Sequence, residues 1–531
     1  MNGQRVTETS IGRRRFLQAG LAGGAALAVP GLLSACSSSS TTSATSTTPA
    51  SSGAIKRGGT MIAGFVGGGA NETLDPQLAT ADIDFARGLN LFDRVTHFMP
   101  DLSVQNLLAE SLEPNTAGTA WQIKLRSGVT FHDGKPLTAD DVLYSYRRII
   151  SKNLIGASRL TSIDIANAKK TNDLTVVLPL KHPFADLPAM LAEVYLSIIP
   201  DGTTKFTQPN GTGPFKFESW SAGNSSLFSK NDNYFISGKP YLSTLKLVSI
   251  EDNTSRLQAL QAGQIDAMVN VEFVQAKAHA NDPAIKLVIA DTDYVVPIYV
   301  RTDRAPFTDN RVREALRLAA DRSQLLSDVY LNYGSLGNDL FGHGVPYYDT
   351  SIPQRPHDPE KAKALLKQAG HGDGLNITLY TSTAAPGMLQ SAQVYAAQAK
   401  AAGINIKLFQ TPANTYYSGQ YYLKVAMGQT NYQGIIPVMW SDALLSTGPY
   451  NETAWKKPEF DKAFFQAEAT QDEAKRQQIF NSLQEQLWND GGYIIWGQNN
   501  TIDATLPNVH GVNPSKYYLL GGCDFKSFWI S

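Results

Sequence analysis

The stretch that decides the reading runs Leu125-Arg126-Ser127-Gly128-Val129-Thr130-Phe131-His132-Asp133-Gly134-Lys135-Pro136-Leu137-Thr138-Ala139-Asp140-Asp141-Val142. Just before it, Trp121, Ile123 and Leu125 alternate with Gln122, Lys124 and Arg126. A period of two gives a strand one buried face. Ser127-Gly128 predicts a turn, and Val129 with Phe131 continues the apolar face, so the spacing predicts a hairpin. Thr138-Ala139-Asp140-Asp141 then has the spacing of a capping box, and Val142, Tyr146 and Ile149 place a stripe on the helix that follows.

Outward from there, the region from about 55 to 290 reads mainly as strands, among them Phe215-Lys216-Phe217 and Leu245 to Ile250, separated by Gly, Asn and Ser turns. From about 300 the texture becomes helix–strand alternation, which is the pattern of an α/β unit. Thr308-Asp309 is placed to cap a helix with the stripe Val312, Leu316, Ala319 and Leu326. Asp358-Pro359 opens another, closed by Gly370. Leu375, Ile377 and Leu379 alternate as a strand, a helix ends at Gly403, and Ile404, Ile406 and Leu408 alternate as the next. The aromatic-rich tail, 493–531, returns to strand-like sequence, so the chain is expected to cross back to its first lobe.

The counts bound what such a chain can do. Its 531 residues suffice for two or three domains, and 42% apolar with 10% aromatic residues fits a globular protein. A net charge of −1 provides no basic field, which argues against a nucleic acid partner. Two cysteines, Cys36 and Cys523, exclude a disulfide scaffold.

Residues 1–35 read as an export signal. Arg13-Arg14-Arg15-Phe16-Leu17 precedes the mostly small and apolar run Ala19 to Leu33, similar to a twin-arginine (Tat) signal, although Gly12 and Gln18 depart from that pattern. Leu33-Ser34-Ala35-Cys36 resembles a lipoprotein cleavage box, which makes Cys36 the expected lipidation site; an ordinary cleavage site beside a chance cysteine is the plainer alternative. Residues 36–56, rich in Ser and Thr, are expected to form a flexible tether. Removing the signal takes away four arginines and one glutamate and leaves a net charge of −4. Cys523 is then alone and expected to be a buried, reduced thiol.

Catalytic signatures are sparse. The histidines form no His-Glu-x-x-His pair, there is no Gly-x-Ser-x-Gly elbow, and the Gly67-Gly68-Gly69 run lacks a dinucleotide fingerprint. No cofactor, metal or covalent chemistry is expected.

The opening stretch, preceded by Leu108-Ala109-Glu110-Ser111-Leu112 and Trp121, resembles the family 5 extracellular solute-binding proteins of ABC importers, the oligopeptide/dipeptide/nickel-binding group. Further matching stretches are Gly211-Thr212-Gly213-Pro214-Phe215, Gln261-Ala262-Gly263-Gln264-Ile265-Asp266, Pro306-Phe307-Thr308-Asp309 with Arg313, Ala315 and Asp321-Arg322, and Asp358-Pro359-Glu360-Lys361-Ala362. The resemblance as a whole spans about 58 to 531. The resemblance implies an α/β, two-lobed periplasmic-binding-protein-like fold of type II, with a large first lobe, an extra subdomain, and two crossing segments. On this chain it places lobe I at 57–292 with the subdomain at about 75–210, lobe II at 293–495, and the return to lobe I at 496–531.

The function it implies is a monomeric, lipid-anchored receptor on the outer face of the cell membrane, capturing an oligopeptide or similar solute for an ABC permease. An oligosaccharide or chelated metal, a sensor without transport, and an exported enzyme are the alternatives. In peptide-binding members a lobe II strand carries Trp-x-x-Asp, whose aspartate pairs with the ligand's ammonium; the matching place is Met439-Trp440-Ser441-Asp442, one residue shorter. Asp442 either does this or caps a turn, and Trp440 is the expected pocket wall. Tyr416, Tyr417, Tyr421 and Tyr422 are expected on one helix, where they either pack as an amphipathic face or stack on the ligand, Tyr417 being the candidate for that. Phe65 and Trp496 are placed at the cleft by analogy of position. The segment Thr381-Ser382-Thr383-Ala384-Ala385-Pro386-Gly387-Met388 contains no arginine for a ligand carboxylate, which argues against a strict dipeptide binder. His132 is more readily scaffold than site.

Overall fold

The computed structural model describes residues 54–417 and 420–531. The expected signal, the Cys36 lipidation site and most of the tether lie outside the described residues.

The opening stretch forms a strand, Ala120–Leu125, whose alternate residues Trp121, Ile123 and Leu125 are buried as their period demands. Its partners differ from expectation. It pairs antiparallel with Ala109–Pro114 on one side and Thr175–Pro179 on the other, and Lys169–Asn172 completes a four-stranded sheet. Residues 129–137 instead close a small turn of their own, with Phe131 N donating to Lys135 O and Gly134 N to Phe131 O. A partner two segments away outcompetes the local one because it buries Val176 and Leu178 against Trp121 and Ile123. The capping box holds: the Asp141 carboxylate accepts from Thr138 N at 2.7 Å, and helix Ala139–Ser151 packs Val142, Tyr146 and Ile149 into the core.

Lobe I is built on a mixed sheet in the order Lys286–Val295, Gly497–Thr505, Ala267–Met268, Thr60–Phe65, Thr244–Ser249, Ser225–Lys230 and Phe215–Ser221. The two glycines of Gly211-Thr212-Gly213 lie against the end of helix Asp82–Leu91. A Cβ at Gly211 would stand 1.9 Å from Leu91 O, and one at Gly213 would stand 2.4 Å from Asn90 O, so only glycine fits. His132 braces the same loop, its ring nitrogens 3.0 Å from Gly213 O and 3.4 Å from Gly211 N. Burial lowers its pKa to about 4, so it is a neutral strut at physiological pH.

Lobe II follows the α/β alternation. Asp309 caps helix Asn310–Leu318, and Asp358 caps Pro359–Gln368. Strands Leu375–Ser382 and Ile404–Thr411 pair in parallel across helix Met388–Ala399. A second, three-stranded sheet runs Met427–Gln429, Ile298–Val300, Tyr493–Ile494. One hydrophobic cluster runs from the subdomain sheet (Trp121, Ile123, Leu178) through to lobe II (Ile436, Trp440, Phe460, Phe480). The lobes therefore meet over apolar surface as well as at their crossings. No described helix is long and apolar enough to cross a membrane.

Candidate ligand cleft

The chain changes sheets twice. The outgoing strand Lys286–Val295 pairs antiparallel with the return strand Gly497–Thr505 in lobe I, then re-enters as Ile298–Val300 beside Tyr493–Ile494 in lobe II. At the return crossing Trp496 is fully buried, its indole N–H donating to Val296 O at 3.0 Å and its ring 4.7 Å from that of Tyr330. This ties one crossing to the other. Asp339 anchors the same place by accepting from Ile495 N at 3.1 Å.

The outgoing strand slips register between Asp291 and Tyr294, and the irregularity presents Thr292 and Asp293. Thr292 donates to Asn499 O at 2.8 Å. Asp293 is buried; its Oδ2 accepts from Gly434 N of lobe II at 2.9 Å, and its Oδ1 has no hydrogen-bond partner. Burial pushes its pKa up to about 7, against the Gly434 bond and the positive charge of Lys516 and with help from nearby Asp291. Lys516, from the C-terminal tail, reaches across to Gly344 O of lobe II at 2.6 Å. His343, next to Gly344, lies 3.3 Å from Ser335 Oγ; burial lowers its pKa while Asp291 raises it. Facing these groups is the lobe II loop after Met427–Gln429, where Asn431 accepts from Tyr417 OH at 2.7 Å and Tyr432 bridges to Val295 through both backbone groups. Fixed donors and acceptors of both signs thus flank the crossings. Among the described residues no group of three or more His, Cys, Asp or Glu is placed to hold a metal ion.

The residues singled out from sequence fall in two groups. Met439-Trp440-Ser441-Asp442 lies on a helix, Ile436–Ala443, and not on the expected strand; Pro437 in its first turn has no amide hydrogen to give to a ladder. The strand that precedes it in lobe II is Met427–Gln429. Met439 and Trp440 are buried, the latter between Phe460 and Phe480 with ring centroids 5.7 and 5.6 Å away. Ser441, half-buried, donates to Val438 O at 2.8 Å, and Asp442 is half-buried in the last turn. Phe65 is fully buried against Phe525, so it packs lobe I and does not line an open wall. Of the four tyrosines only Tyr416 is helical, in the short helix Ala413–Tyr416. Tyr416 and Tyr422 are buried and Tyr417 and Tyr421 half-buried, because the chain turns after Tyr416. Tyr417 is thus the member of the sequence set placed beside the crossing loop. Asp293, His343 and Lys516 carried no motif; their only signal was a pair of acids, Asp291 and Asp293, interrupting a strand pattern.

A second interlobe contact lies further out. Asp186 accepts from Tyr347 OH at 2.8 Å, Arg476 donates to the same hydroxyl at 2.8 Å, and Ala185 N donates to Glu468 O at 2.7 Å. Burial and the charge of Asp186 push the Glu468 carboxyl up to about 8. The folded state therefore holds a proton the unfolded chain releases above 4.5. This contribution to stability is complete below that value and is lost as pH rises to about 8. Glu468→Gln, which cannot ionise, is expected to melt at higher temperature than the parent at pH 8 and above, with the difference vanishing in acid; thermal melts across pH check it.

The family model of the bacterial extracellular solute-binding proteins, family 5 Middle, matches residues 103–454. The chain is 26% identical over 468 residues to the glutathione-binding protein GsiB of Pectobacterium atrosepticum, an alignment covering 83% of this chain and 88% of that one. It is 28% identical over 523 residues to the oligopeptide-binding protein AppA of Bacillus subtilis, covering 90% and 93%. The structure of that AppA in complex with a nonapeptide superposes with a TM-score of 0.69 at 25% identity, over 90% of this chain and 100% of that one. The substrate-binding protein CtaP of Listeria monocytogenes superposes with a TM-score of 0.78 at 20% identity, over 90% and 100%.

Proposed function

Because the chain belongs to family 5 of the bacterial extracellular solute-binding proteins, we propose that it is the lipid-anchored receptor of an ABC importer for oligopeptides. The observation that carries the reading is the match along nearly the whole folded chain to a relative named for oligopeptides and to its peptide-bound structure. A second relative is named for glutathione. Export through the twin-arginine-like signal and acylation at Cys36 would hold a monomer at the outer face of the membrane, where closure of the two lobes about their crossings buries the solute. No chemical step on the ligand is involved.

The ligand's ammonium is assigned to Asp293, whose second carboxylate oxygen lacks a partner, with Asp442 as the other candidate. Tyr417, Asn431 and the Gly434 amide would line the lobe II side, and Lys516 with His343 the side that takes a carboxylate. Met439, Trp440 and Ser441 position the helix that carries Asp442; Phe65 and Trp496 hold the two lobe cores in shape.

Calorimetry of the purified protein with a peptide library is expected to show binding well below millimolar, and no heat at millimolar peptide overturns the peptide assignment. In Asp293→Asn a charge-assisted bond is lost, and peptide affinity should fall by roughly tenfold to a hundredfold. An unchanged affinity would move ammonium recognition to Asp442. Ligand retained by protein isolated from its own host would show a sugar or chelate directly.

A further inference from the structure

A cavity of about 830 Å³ lies within lobe I and not between the lobes. It opens between the tail 511–528 and the segment 94–107. The tail separates it from the cleft: Ser515 and Tyr517 line the cavity, whereas Lys516 between them points away, to Gly344 of lobe II. Its volume is that of a site for a small organic molecule.

Charge makes the cavity selective. Arg94 lines it and is only 6% exposed. Its guanidinium has one long hydrogen bond, NH1 to Phe92 O at 3.5 Å; its Nε has no partner, and among the described residues no carboxylate comes within ion-pair distance. The acids that sense its charge, Asp93 and Glu193, lie further off, and Asp93 is occupied by Thr212 and Tyr234. A buried guanidinium left in this state lacks the hydrogen bonds and counter-charge it had in water, and an anion would restore a large part of both. Arg126, at the rim, spends its Nε on Leu107 O at 2.7 Å and also has no carboxylate partner among the described residues. The remaining charges cancel, since Glu110 pairs with Lys124 at 2.9 Å and Asp524 with Lys526. Two arginines are thus in excess.

The other walls are apolar: Phe98, Phe235 and Phe528. Along the tail the lining is a run of residues in the left-handed region, Gly521, Gly522 and Cys523, with φ of 61, 72 and 54°.

We propose that this cavity binds a small organic acid, its carboxylate held by Arg94 and Arg126 and its apolar body laid against Phe98, Phe235 and Phe528, independently of the interlobe cleft. The test is calorimetry and thermal melting of the purified full chain with phenylacetate, its neutral counterpart phenylacetamide, and inorganic phosphate. Phenylacetate is expected to bind at millimolar concentration or below and to raise Tm. Phenylacetamide and phosphate, each lacking one half of the recognition, are expected to bind at least about tenfold more weakly. Arg126→Gln, a rim substitution that leaves the core untouched, should weaken phenylacetate several-fold without changing peptide affinity, and Arg94→Lys should do the same by losing the fork while keeping the charge. The proposal is overturned if phenylacetate does not bind, if phenylacetamide or phosphate binds as tightly, or if both arginine variants bind phenylacetate as the parent does.

Discussion

Exchanging Asp339 for Asn is expected to remove about 3–5 kcal/mol of unfolding free energy, the usual cost of breaking a buried ion pair from one side. The Asp339 side chain is completely buried and faces two guanidiniums, accepting from Arg322 at 2.7 and 2.8 Å and from Arg355 at 2.6 Å. Its Oδ1 also takes the amide of Ile495, at the return crossing. Asparagine keeps the shape and tolerates the left-handed backbone of this residue, φ 60°. It supplies one acceptor in place of two and no charge, so both arginines are left buried and undercompensated. Urea unfolding of the two proteins measures the difference; a loss below about 1 kcal/mol would mean that the triad is solvated and does not hold the crossing. Because Ile495 sits at a crossing, the variant should also bind peptide more weakly than its stability loss at the assay temperature explains.

Trp440→Ala should lose a comparable amount, about 3–5 kcal/mol, because it empties a fully buried indole from the cluster shared by the subdomain and lobe II. Trp440→Phe separates framework from contact. The indole N–H is buried without a hydrogen-bond partner, so phenylalanine removes an unsatisfied donor along with some volume, and a cost of less than about 1.5 kcal/mol is expected. If Trp440→Phe melts close to the parent yet loses peptide affinity, the indole touches ligand when the lobes open and close. If both properties hold, Trp440 is framework alone. Chemical denaturation and calorimetry on the same preparations give the two readings.

Much of the architecture was legible in sequence because it rests on short-range physics. Alternation at 121–125, the Thr138–Asp141 capping box and the caps at Asp309 and Asp358 depend on residues within a turn of each other, and each appears in the structure where its spacing puts it. The errors arise where a distant partner wins. Residues 129–131 looked like the second arm of a hairpin, but Ala120–Leu125 pairs instead with Thr175–Pro179, which sets Val176 and Leu178 beside Ile123 and Trp121. The four tyrosines 416–422 looked like one amphipathic helix, but the Tyr416 hydroxyl is committed to Gln429, donating to its oxygen at 2.6 Å and accepting from its nitrogen at 2.8 Å, and that contact stops the helix. Met439–Asp442 looked like a motif on a strand, while Pro437 and the packing of Trp440 between Phe460 and Phe480 suit it to a helix.

The sequence by itself determined the α/β class, the family and the expected export of the chain, since these depend on local periodicity, capping and a linear signal. Only the tertiary structure decided which polar groups meet. Asp293, Gly434, His343 and Lys516 come from four separate segments and are joined by the bulge in the outgoing strand and by the reach of the C-terminal tail. Arg94 and Arg126 face one cavity for the same reason. A site is a matter of distance and burial, and both are set by which apolar surfaces bury each other, which no run of neighbouring residues encodes.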